Sequence, residues 1–87
     1  MSTEYISLLE SARAELAGAE RRLALARQAL ADFKAEHDGK VVSRDLALSL
    51  AHEKDAVETE VDAAERQMQH CTAVLAEMQQ LAAAVSI

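Results

Sequence analysis

An all-α fold, an antiparallel two-helix coiled-coil hairpin, is what the sequence predicts, and three observations predict it. Apolar residues recur at alternating spacings of four and three through both halves of the chain. A single stop-and-start segment, His37-Asp38-Gly39-Lys40-Val41-Val42-Ser43, separates those halves. Proline is absent, aromatics make up 2%, and alanine and leucine supply most of the 51% that is hydrophobic, which is the inventory of a helix former.

The first element is expected over residues 3–37. Tyr5, Leu9, Ala12, Leu16, Ala19, Leu23, Ala26, Leu30 and Phe33 form its stripe. With Leu9 at heptad position a, Leu9, Leu16, Leu23 and Leu30 occupy a while Ala12, Ala19 and Ala26 occupy d, so large and small residues alternate and a second helix can approach closely. Ser2 or Thr3 is the expected N-cap. Gly39 can adopt the left-handed conformation that closes a helix, and Lys34 and His37 place positive charge in the last turn, where the helix dipole favours it.

After a turn over residues 38–43, the second element is expected over 44–85. Ser43 caps it, Asp45 suits its first turn, and Val42 can staple onto Ala47. Its stripe runs through Leu50, Val57, Val61, Ala64, Met68, Cys71, Leu75, Met78, Ala82 and Val85, interrupted by Lys54. Folding about the short turn pairs residues whose numbers sum to about 80. That register sets Leu16 against Ala64, Ala12 against Met68, Ala19 against Val61, Phe33 against Ala47 and Lys54 against Ala26, with Arg22 near Glu60 and Arg27 near Glu58. It leaves Met78 to Ile87 as an apolar overhang. Leu8, Leu25, Ala29, Leu46, Leu48, Val74 and Leu81 fall outside the seam, and two hairpins joined as a four-helix bundle would cover them.

Eighty-seven residues make at most one domain, and a chain of this size buries only about 60% of its unfolded surface, which favours association. The formal charge of -6 argues against direct binding to nucleic acid or an anionic membrane. One cysteine, Cys71, precludes an internal disulfide and points to a reducing compartment. Glu4 stands where a signal peptide carries bases, and no apolar run reaches the roughly 20 residues that span a bilayer. The expected location is the cytoplasm.

No catalytic, cofactor or metal site is expected. His70 and Cys71 are adjacent and so project about 100 degrees apart on a helix, which prevents easy joint coordination of one metal. Cys71 on the stripe reads as a small core hydrophobe, and His52 and His70 as solvated surface. The carboxylates lack surroundings that would shift them for acid-base chemistry. Gly18, in mid-helix, weakens the element and can admit another helix.

The function expected is a non-catalytic protein-protein interaction module, an adaptor, chaperone subunit or inhibitor, that also forms a homodimer. Its expected interface comprises Tyr5, Leu8, Leu25, Val74, Met78, Leu81, Val85 and Ile87. A second reading makes Glu53, Asp55, Glu58, Glu60, Asp62 and Glu65 an acidic face that occupies the basic groove of a nucleic-acid-binding protein, as a phage-type inhibitor does. A third reading is a structural or scaffolding coiled coil. Abundant alanine and an excess of arginine over lysine suggest a GC-rich bacterial or phage source.

In length and topology the chain resembles small secreted helical hairpins of the ESX type. Their Trp-x-Gly turn is missing, since the turn here reads His37-Asp38-Gly39-Lys40. Hairpin chaperones of secretion systems and small helical phage proteins share the periodicity, without a motif that transfers residue roles.

Overall fold

The computed structural model describes residues 3–40 and 43–85. They form two antiparallel helices, α1 (Thr3–His37) and α2 (Arg44–Val85), packed along their lengths, with no strand among the described residues. At about 1.5 Å per residue, α2 alone accounts for the long dimension, and the chain measures 66 × 17 × 14 Å. No helix among the described residues is long and apolar enough to cross a membrane.

The two helix ends at the turn are built by the residues expected to build them. Gly39 has φ +71°, the left-handed conformation that ends α1, and the Asp38 amide donates to the Lys34 carbonyl at 2.8 Å. The Ser43 Oγ accepts from the Leu46 amide at 3.2 Å, while the Ser43 carbonyl takes the first helical bond from Ala47 at 2.8 Å. The expected staple from Val42, the cap at Ser2 and the side chain of the alternative cap, Thr3, lie outside the described residues. A Cβ on Gly39 would meet nothing within 4 Å, so replacement there strains only the backbone. Gly39→Ala is expected to lower stability by about 1 kcal/mol in urea titration, and Gly39→Asn by less, because asparagine tolerates the left-handed region.

The core is the seam between the two stripes. Leu9, Ala12, Ala19, Leu23 and Ala26 from α1 and Val61, Ala64 and Ala82 from α2 are buried. Leu23, Ala26, Val61 and Ala64 form its central cluster, with Leu30 and Met68 packed against it.

The register differs from the expected one by a full heptad. A seam that keeps both stripes inward can slide only in steps of seven residues, and the ion pairs between the helices select the step. Arg22 Nε meets Glu60 Oε1 at 2.6 Å and Arg27 Nη2 meets Glu65 Oε1 at 3.3 Å. In the expected register the second pair would be separated by about 12 residues, or roughly 18 Å along the axis, beyond the reach of both side chains. One heptad further, facing numbers sum to about 87, and each pair is offset by about five residues in opposite senses, roughly 7.5 Å, which extended side chains span. Leu23 then stands level with Ala64 and Ala26 with Val61, consistent with the central cluster.

Charge burial explains the choice. The expected register would press the Lys54 ammonium against Ala26 in the middle of the seam, where desolvation is costly. The observed one carries Lys54 to the hairpin end beside Phe33, where it is exposed and 3.8 Å from Glu58. Two consequences follow. Among the described residues α2 does not overhang α1 from Met78 onward, because Ala82 is buried and the Tyr5 hydroxyl donates to the Met78 carbonyl. The unpaired length lies instead at the turn, where residues 44–49 project past His37 with every side chain exposed. Arg27 likewise pairs with Glu65 rather than Glu58.

Candidate interaction surface

Both flanks of the seam are shaped by the heptad count. Counting α1 from Leu9 at a, Leu8, Arg22 and Ala29 fall at g, and Gly18 and Leu25 at the neighbouring c. Counting α2 with Val61 at a, Glu60, Gln67, Val74 and Leu81 fall at g. In an antiparallel pair the two g rows border the same flank, and the contacts agree. Arg22 Nε and Nη2 donate to the two Glu60 oxygens at 2.6 and 3.0 Å, while Arg22 Nη1 donates to Gln67 Oε1. This fork-to-fork geometry fixes register as well as charge.

The hydrogen bond from Arg22 holds the Glu60 carboxyl below its ordinary range, and the same bond raises the Arg22 guanidinium. Because the carboxyl titrates lower in the folded chain, its stabilising effect is present above the ordinary glutamate value and is lost as pH falls through the lowered one. Both groups are exposed, so the effect is small and screened by salt. In acid titration at low salt, Glu60→Gln is expected to flatten the loss of helix in that window; an unchanged acid limb would show that the bond does not hold in solution.

Among the expected interface residues, Leu8 (56% accessible), Leu25 (72%) and Leu81 (58%) are exposed. Val74 is half-buried. Tyr5 and Met78 are half-buried and joined to each other across the open end of the hairpin, so they belong to the seam. The Val85 side chain and Ile87 lie outside the described residues. Ile6, exposed at 45%, falls at e, directly beside the seam, and was not among the residues singled out from the sequence. Leu46 and Leu48 are exposed on the projecting turns of α2.

The acidic run does not lie on one face. Glu53 and Glu60 are at g, Glu58 and Glu65 at e, and Asp55 and Asp62 at b, so the carboxylates wrap around both flanks of α2. Three of the six are bound within the chain: Glu58 by Lys54, Glu60 by Arg22 and Glu65 by Arg27.

Two concavities stand out among the described residues. One, of about 350 Å³ at the hairpin end, is lined by Phe33, Lys34, His37, Asp38 and Lys54; the Phe33 and His37 rings lie 4.7 Å apart at 55°. The other, of about 540 Å³, runs along the g flank of α1, bordered by Gly18, Arg22, Leu25, Ala29 and Glu60. Cys71 is half-buried on the seam, and His52 and His70 are exposed. No group of three or more His, Cys, Asp or Glu able to hold a metal ion occurs among the described residues. No protein-family model, curated protein or solved structure matches the chain.

Proposed function

We propose that the hairpin is a non-catalytic protein-protein interaction module of the cytoplasm, an adaptor, chaperone subunit or inhibitor, whose outward helical surfaces do the binding. Two hairpins associate as a homodimeric four-helix bundle. The observation that carries this reading is the set of large apolar side chains outside the seam, with Leu8, Leu25 and Leu81 all more than half exposed. Scattered single leucines are ordinary on a surface. Here, however, Leu8, Val74 and Leu81 share the g flank near the open end, and Leu25 stands beside an apolar groove on the same flank.

The acidic reading has less support, because half of its carboxylates already pair with bases of the same chain, and of the rest Glu53 lies at g while Asp55 and Asp62 lie at b. Binding of that kind would be steered electrostatically and would weaken steeply with salt.

The test compares the native chain with the triple variant Leu8→Glu, Leu25→Glu and Leu81→Glu. These positions lie outside the seam, so helicity in circular dichroism is expected to hold. Sedimentation is expected to fall to the single-chain mass of 9.4 kDa, and capture of host protein by the tagged chain to be lost. Unchanged mass together with unchanged capture would refute the reading.

A further inference from the structure

We propose that two copies of this chain pack α1 against α1 in antiparallel fashion, about a two-fold axis between Arg21 and Arg22, with Leu25 of each copy filling the notch at Gly18 of the other. This rests on the interaction-module reading and specifies its surface and its partner.

Gly18 is the first observation. It sits in the middle of α1, where glycine weakens a helix relative to alanine. Nothing inside the chain requires it: a Cβ there would meet only the Arg21 guanidinium, at an ordinary 3.9 Å, and Gly39 is the glycine with positive φ. A residue that weakens its own helix without serving its own fold is explained by the close approach of something outside.

The second observation is the knob that matches this notch. Leu25 is the most accessible of the exposed large hydrophobic residues, at 72%, and borders the same 540 Å³ groove as Gly18. Gly18 and Leu25 are one heptad apart on a single row. A knob and a notch so placed on one helix are brought together twice by a two-fold axis midway between them, and an isologous contact of this kind closes on itself. The same axis sets Ala29 against Ala14 of the other copy, both small and exposed, so the backbones can approach.

Charge and area are compatible with a second copy. The Arg22 guanidinium near the axis is already bound by Glu60 and Gln67. Glu60 borders the groove, and its carboxylate, which accepts from Arg22 of its own chain, would be shared with Arg21 of the other copy, which has no ion pair among the described residues of its own chain. The chain exposes 6445 Å², whereas a compact protein of its mass exposes about 5,000 Å². A standard interface removes about 800 Å² from each partner, which fits within that excess.

Sedimentation equilibrium of the full chain from micromolar to millimolar concentration tests the proposal. The native chain is expected to dimerise, and Leu25→Ala or Gly18→Leu to raise the dimer dissociation constant by about tenfold or more with helicity retained. Gly18→Ala is expected to raise helicity yet weaken the dimer. The exchanged pair, Gly18→Leu with Leu25→Gly, rebuilds the same knob and notch across the axis and is expected to restore dimerisation. A native chain that stays monomeric overturns the proposal, as does a dimer indifferent to both positions, or one broken by either substitution and not restored by the exchange. If the dimer is lost in the Leu8, Leu25, Leu81 triple variant but not with Leu25→Ala, the interaction-module reading stands and this interface fails.

Discussion

Leu23→Ala is expected to cost about 2 to 5 kcal/mol, the range for removing a well-buried leucine without compensating collapse. Leu23 is 3% accessible at the centre of the seam, and its neighbours Ala26, Val61 and Ala64 are too small to close the space it would leave. A single small core rarely supplies more than about 3 to 5 kcal/mol. The variant is therefore expected to lose most of its cooperative urea transition and much of its helical signal at room temperature. A midpoint shifted by less than a tenth of the native value would mean that the seam is not what holds the helices together.

Ala64→Leu is the second large effect, and its value lies in combination. Ala64 is fully buried and level with Leu23, so the larger side chain alone overfills the layer, at an expected cost of about 1 to 3 kcal/mol. Joined with Leu23→Ala, it returns to the layer the volume that substitution removes. The double variant is expected to be more stable than the sum of the single effects by about 1 kcal/mol or more, as for residues in direct contact. Additive losses would place Ala64 opposite another residue, with Leu16 the candidate in the lower register.

What the residues made legible, and what they left dark, follows from the range of each interaction. The helices, the break at Gly39 and the cap at Ser43 depend on neighbours a few positions apart, so spacing and turn chemistry reveal them directly. The identity of the seam depends on a period of seven, and Leu9, Ala12, Leu23, Ala26, Val61 and Ala64 are all buried on it. The register is a long-range quantity that the same period leaves open at every seventh residue. Opposing large to small side chains did not separate the two steps, because an alternating leucine-alanine stripe satisfies both.

Lys54, placed from the sequence against Ala26, was the misread signal, since only one register takes its charge out of the middle of the seam. Misplacing it also misplaced the unpaired length, which among the described residues runs from Arg44 to Ser49. On the candidate surface, the exposure of Leu8, Leu25 and Leu81 was readable from their distance from the stripe. The groove beside Gly18 was not, because it takes its wall from Glu60 on the other helix.

The single native cysteine allows the pairing of the two helices to be read directly. Cys71 stands level with Leu16 in the structure, and with Leu9 if the helices slip back by a heptad. Under mild oxidation of dilute protein, Leu16→Cys is expected to close a disulfide to Cys71 within one molecule, seen as a monomer of raised mobility without reductant, while Leu9→Cys does not, being roughly 10 Å out of level. Ready closure by Leu9→Cys in place of Leu16→Cys, or bridging only between molecules, would contradict the chain folding back on itself in this register.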